Sequence, residues 1–219
     1  MLSFLYRLLE HPLCYRLSQA VFAPGSDLFL LRRLRRIMQE YRPYGRVLDV
    51  GCGPTSWLWK IGSHPVGLDI SLPYSFAYQI GGGTAVNGSA VNLPFATSSF
   101  NAIWSIGVFH HLPDAMVRQA MAEMLRVCEP DGHIVILDAV LPQSWHRPIA
   151  SLIRRLDRGK FMRNQAALEA LLQDRPSWSV SRFTYTVNGL EMLCCVYNTS
   201  PVGKKSVHRK GTDHVDHRP

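Results

Sequence analysis

The residues of this sequence best placed to hold a ligand are two glycines set two apart behind an acid, in Val47-Leu48-Asp49-Val50-Gly51-Cys52-Gly53-Pro54. Glycine lets the backbone turn sharply and approach a bound molecule, because no Cβ intervenes. A short apolar run, Arg46–Val50, feeds this loop, and a helix is expected to start near Thr55 or Ser56 with its free N–H groups directed at the ligand. A dinucleotide loop would need a third glycine three positions after the second, where this chain has Ser56. Asp49 is a poor neighbour for a pyrophosphate and a good partner for an ammonium or other donors. A cofactor with an amino-acid moiety therefore fits better than one with two phosphates, which disfavours a nicotinamide enzyme.

Asp69, in Gly67-Leu68-Asp69-Ile70-Ser71, stands at the carboxyl end of a second strand candidate. An acid there can accept hydrogen bonds from both ribose hydroxyls of an adenosine. His110 and His111 follow a fourth strand candidate, and either could take a proton from a substrate; His111 is the slightly favoured one. Asp138 closes the fifth strand candidate and is expected to face the same crevice, as a substrate contact or as a turn-forming acid.

Those residues require a scaffold of alternating strands and helices. Leu28 to about Tyr41 reads as a helix capped by Ser26 or Asp27, with Leu28, Leu31, Leu34 and Met38 on its apolar face. Strand signals follow at Arg46–Val50, Pro65–Ile70, Thr84–Asn87, Phe100–Ile106 and His133–Val140. A helix from Asp114 to about Cys128 precedes the last of these, and Glu129-Pro130-Asp131-Gly132 reads as a stop and turn. Val187-Asn188-Gly189 separates two further strands, Trp178–Thr186 and Leu190–Tyr197, as an antiparallel edge hairpin. The expected fold is α/β: a Rossmann-like, seven-stranded, mostly parallel sheet between helical layers, with extra N-terminal helices. The expected organisation is an N-terminal helical cap over 1–45, one domain over 46–199 with a helical insert at 148–174, and a disordered basic tail over 200–219.

Five stretches in order resemble the class I S-adenosylmethionine-dependent methyltransferases, in particular the small-molecule group that includes the ubiquinone and menaquinone C-methyltransferases. They are Val-Leu-Asp-Val-Gly-Cys-Gly (47–53), Gly-Leu-Asp-Ile-Ser (67–71), Asn-Leu-Pro-Phe with Ser-Phe-Asn-Ala-Ile-Trp-Ser (92–95, 99–105), His-His-Leu-Pro-Asp (110–114) and Glu-Met-Leu-Arg-Val with its turn and strand (123–127, then 131–138). The resemblance covers roughly Arg46–Val140. It implies S-adenosylmethionine as cofactor, with Asp49, Gly51, Cys52 and Gly53 around its methionine part, Asp69 on the ribose and Ile70 against adenine. Ser89 and Ala90 stand where the family has an acid followed by a small residue at the adenine amino group, so Ser89 is a departure. Thr55 replaces a frequent third glycine. Ser105 and Ile106 would lie beside the methionine chain.

Methyl transfer needs alignment and dryness more than acid–base chemistry, since the sulfonium is already activated. The expected substrate is a small apolar molecule with a polar or anionic group: a quinone, polyketide, lipid or glycolipid precursor. Arg158 and Arg163, in a basic stretch after the fifth strand, could meet such an anionic group. The surrounding Leu156-Asp157-Arg158-Gly159-Lys160-Phe161-Met162-Arg163 is distinctive, but no mechanism follows from its pattern. The alternatives are an RNA or protein methyltransferase and a non-catalytic cofactor-binding domain.

The chain has 219 residues and a net charge of +8. Residues 1–46 carry eight arginines against three acids. Such a surface attracts anions, including lipid headgroups, and a peripheral membrane contact through the N-terminal helices is an open expectation. Nucleic acid is the less favoured partner, because the arginines are not interleaved with stacking aromatics. No apolar run reaches the ~20 residues that span a bilayer, and the start lacks the features of a secretory signal. Five irregularly spaced cysteines suggest neither a zinc site nor a disulfide framework, and suit a reducing cytoplasm. No metal is expected.

Overall fold

The computed structural model describes residues 25–143, 150, 152–154, 159–172 and 178–199. The N-terminal helices expected before residue 24, Arg158 and the basic tail lie outside the described residues.

In chain order the elements are α1 (Ser26–Tyr41), β1 (Val47–Val50), a 3-10 turn (Trp57–Ile61), β2 (Val66–Asp69), α2 (Leu72–Ile80) and β3 (Thr84–Asn87). There follow β4 (Phe100–Ile106), a second 3-10 turn (Phe109–His111), α3 (Asp114–Val127), β5 (Cys128–Ala139), α4 (Gln165–Leu172), β6 (Trp178–Thr184) and β7 (Glu191–Asn198). They build the expected seven-stranded sheet, in the order β3-β2-β1-β4-β5-β7-β6. The first five positions are mutually parallel, and β7 runs antiparallel to both β5 and β6.

Period-two alternation along the central strands divides the core between two layers. Ile134 and Ile136 of β5 join Val50, Ile103, Met124 and Leu168 in one cluster. Val135 and Leu137 face the other way, with Leu34, Leu58, Trp104 and Met192. Helices α3 and α4 cover the first face, while α1 and the first 3-10 turn cover the second. Cys52, Cys128, Cys194 and Cys195 are buried free thiols. Burial pushes all of them up, Cys128 to about 12, so they act as small apolar residues.

Three local expectations are corrected. Helix α1 buries Ser26, Leu30, Leu34 and Ile37, and leaves Leu28 53% exposed. The run Leu28-Phe29-Leu30-Leu31 offers two helical faces, and packing on Trp104 and Leu137 selects the one through Leu30. No side chain caps this helix: Gly25 stands at its N-cap with φ +77°, Ser26 is buried, and Asp27 pairs with Lys60 at 2.9 Å. Strand β5 begins at Cys128, before the expected turn. Phe100 pairs with Cys128 and Ala102 with His133, so Glu129–Gly132 is absorbed as an irregularity inside the strand.

Chain direction across the sheet reverses between β1 and β4: β2 and β3 extend one way, β5 and β7 the other. In open α/β sheets the crevice at the carboxyl ends of two such strands is where ligands bind.

Candidate functional site

The loop after β1 is locked in place by its neighbours. The N–H groups of Gly51 and Cys52 both donate to the Leu68 carbonyl, at 2.7 and 3.1 Å. Gly51 has φ +75°, and a Cβ there would lie 2.2 Å from Cγ2 of Val108, in the loop after β4. Gly53 has φ +63° with open space where a Cβ would stand. One glycine thus lets the two loops approach, and the other leaves the floor open. Gly51→Ala is expected to cost about 2–4 kcal/mol, the left-handed backbone and the forced shift of Val108 acting together. A denaturant midpoint measured on parent and variant checks this.

Asp69 ends β2, nearly buried. Its Oδ2 accepts from the Gly53 N–H at 2.9 Å and its Oδ1 from the Ser71 N–H at 2.8 Å. Burial raises its pKa, and those two bonds oppose the rise. Asn87, which sequence reasoning missed, donates to the carbonyls of Asp69 and Ile70, both at 3.0 Å, and pins the turn that carries them. Ile70 is 76% exposed beside a buried carboxylate, a flat apolar surface next to a hydrogen-bond acceptor.

Asp49 lies deeper. The Ser56 hydroxyl donates to its Oδ2 at 2.6 Å, and the same hydroxyl oxygen accepts from Leu58 N–H at 3.1 Å. Ser56 therefore caps the 3-10 turn and holds the acid at once, which explains a serine where a dinucleotide loop has glycine. The expected helix after the loop is only this five-residue turn. Burial raises Asp49 to about 7; the Ser56 bond opposes the shift and the nearby Asp69 charge adds to it.

This shift has two consequences of defined sign. Unfolded, the carboxyl ionises near its usual 3.8, and folded near 7. Between these values the folded chain holds the extra proton, so Asp49 makes stability fall as pH rises from about 4 to about 7. A cationic ligand beside Asp49 draws on the ionised form. Its affinity is expected to drop about fivefold between about pH 7 and pH 6 and to level off above about pH 8. Calorimetric titration across that range checks this, with Asp49→Asn expected to flatten the profile.

Across the crevice, Ser105 is 1% exposed at the end of β4, with a hydroxyl that has no hydrogen-bond partner among the described residues. Ile106 follows it, half-buried. Ser89 and Ala90 are half-buried after β3, and the Ser89 Oγ makes only a 3.4 Å contact with Val91 N–H.

The two histidines differ. His110 is buried, with Nδ1 2.6 Å from Oδ1 of Asp138, itself 2% exposed. The same oxygen accepts from Ala139 N–H at 2.9 Å. An ionised carboxylate offers only acceptors, so Nδ1 carries the proton and the basic lone pair lies on Nε2. His111 is exposed, its ring packed against that of His110 at a tilt of 41°, with centroids 4.1 Å apart.

Arg163 braces this loop. Its guanidinium donates to the carbonyls of Phe109 and Leu112, at 2.8 and 2.6 Å, and to the Asp114 carboxylate. It is 8% exposed, so the geometry assigns it to holding the histidine loop. Gly159 fits against His110, where a Cβ would meet Cδ2 at 2.2 Å, and Phe161 N–H donates to the His110 carbonyl at 3.0 Å. The described part of the stretch whose pattern suggested no mechanism, 159–163, is thus the back wall of the histidine loop.

The arrangement fits S-adenosylmethionine on its own observations: two buried carboxylates, a glycine loop between them with open space over Gly53, a buried hydroxyl without a partner among the described residues, and an exposed apolar platform. Residues 48–136 match the family model described as a methyltransferase domain. Over 107 residues the chain is 38% identical to human "Probable tRNA methyltransferase 9B", covering 48% of this chain and 23% of that protein. It is 29% identical over 131 residues to the demethylmenaquinone methyltransferase of Corynebacterium urealyticum, covering 58% of this chain and 56% of that one. The chain thus spans about a quarter of the first relative and about half of the second. A solved SAM-dependent methyltransferase from Archaeoglobus fulgidus shares the fold with a TM-score of 0.65 at 17% identity, over 84% of this chain and 99% of that one.

Proposed function

We propose that the chain, whose residues 48–136 match the methyltransferase-domain family and whose fold is that of solved SAM-dependent methyltransferases, is a class I S-adenosylmethionine-dependent enzyme that methylates a small apolar molecule carrying a polar or anionic group. The observation that carries the reading is the pair of buried carboxylates, Asp49 and Asp69, set around a glycine loop at the carboxyl edge. Asp69 accepts from the ribose hydroxyls, and Ile70 offers its exposed face to adenine. Asp49, ionised, balances the positive charge of the methionine end, and Ser105 supplies a hydroxyl to the same end. When bound, the cofactor supplies a methyl group already activated by a sulfonium.

The chain's remaining task is to set the acceptor in line, about 3 Å from that methyl, and to keep water out. Where the acceptor must lose a proton, His110 takes it on Nε2, with Asp138 fixing the tautomer. Exposed apolar Leu141 and Phe161 beside this loop, with the exposed Lys160 next to Phe161, support an apolar substrate with an anionic group.

An RNA substrate is the second reading. The name of the human relative and the exposed arginines 32, 35 and 36 of α1 favour it. Incubating the full chain with methyl-labelled cofactor and a fractionated lysate separates the two. Label in the organic-soluble small-molecule fraction is expected. Label confined to RNA, with binding that falls steeply with salt, selects the second reading, and label in neither fraction contradicts both.

A further inference from the structure

Five large apolar side chains exposed among the described residues, besides Ile70, stand at one end of the molecule, the carboxyl edge where the site opens. Leu72, which starts α2 just after β2, is 65% exposed. Leu141 follows β5, and Phe161 is tied to the His110 carbonyl after β4. Val187, 74% exposed, lies in the turn into β7, whose first residues pair with the last of β5. Phe29, in the first turn of α1, reaches the same place, because Gly25 packs between Phe29 and Val187. Five separate segments thus contribute to one apolar rim.

Charge at this edge has one sign left over. The exposed acid Asp27 is paired with Lys60, and Asp114 with Arg163, whereas Asp49 and Asp69 are buried. Lys160 and the α1 residue Arg32 are exposed nearby, on a chain of net charge +8. A helical peptide would need its anchors in one contiguous groove. A fluid lipid layer accepts apolar side chains from scattered segments, and an anionic one also draws the cations.

We infer that the carboxyl edge seats on an anionic lipid surface, with the crevice opening toward the layer. The surface stands independently of methyl transfer, and its test needs no turnover.

The full chain is mixed with phosphatidylcholine vesicles containing about one third phosphatidylglycerol, and bound protein is measured by flotation. Binding is expected at about 0.1 M salt and should weaken severalfold on raising salt to about 0.5 M. Phe29→Ser and Leu72→Ser should each lower the partition coefficient about tenfold. Tyr44→Ser, exposed at the opposite edge, should leave it unchanged. Cofactor affinity and circular dichroism of the variants are measured alongside, so that a folding defect is seen as such. Absence of vesicle binding overturns the inference. So does equal binding by parent and rim variants, which would place the contact elsewhere in the chain. Equal loss in Tyr44→Ser overturns it too, as does preference for tRNA over vesicles at the same salt. Failure of cofactor binding, with vesicle binding intact, would count against the methyltransferase reading alone.

Discussion

Asp69→Ala is expected to weaken S-adenosylmethionine about a hundredfold or more while leaving the sheet intact. Hydrogen bonds to a charged acceptor are worth about 1.5–3 kcal/mol each, and two ribose hydroxyls would lose theirs together. The folded state suffers less. Asp69 already accepts from the N–H groups of Gly53 and Ser71, but both lie in half-buried loop that water can reach once the carboxylate is gone. A stability loss of about 1–2 kcal/mol is expected. Asp69→Asn keeps the shape and one acceptor, so it should fall between parent and Ala. Calorimetric titration, with circular dichroism on each variant, reads both quantities.

Asp138→Asn is expected to reduce turnover about 100- to 1,000-fold on a substrate that must be deprotonated, with cofactor affinity unchanged. An asparagine amide can donate to Nδ1 of His110, which moves the ring proton to Nε2 and removes the base. His110→Ala should lose about as much, and the double variant little more, because the two act as one unit. His111→Ala should stay within about threefold, since its exposed ring packs on His110, whose own Nδ1 meets Asp138. The pH profile separates positioning from bulk damage: the rate of the Asp138→Asn enzyme should recover with hydroxide concentration, whereas a misfolded enzyme would stay flat. If the accepting atom carries no proton to lose, all three variants should turn over at nearly the parent rate, and His110 would be a wall of the pocket.

The glycine loop and the strand-end acids were legible because each demands a residue type: left-handed backbone at Gly51 and Gly53, and a carboxylate at Asp49 and Asp69. Strand order followed from alternation and from the Val187-Asn188-Gly189 turn. What escaped was long-range. Arg163 reads as a surface cation in a basic stretch, yet it reaches back 49 residues to Asp114. The partnership of His110 with Asp138 spans 28 residues and two elements, and only the parallel β4–β5 register brings them together. The rotation of α1 depended on which of two apolar stripes met Trp104, which no period within the helix could decide. Ser56 was noticed as a missing glycine, but its tie to Asp49 needed the loop's shape. Single-position constraints show in a sequence, and pairings made by topology do not.

The central claim is that the crevice between β1 and β4 holds S-adenosylmethionine between two acids. Titrating S-adenosylmethionine into the full chain at about pH 8, where Asp49 is ionised, tests it most directly. The account predicts one saturable site of about micromolar affinity and a raised melting temperature. No heat and no stabilisation at about millimolar ligand, from a chain with intact secondary structure, would contradict it.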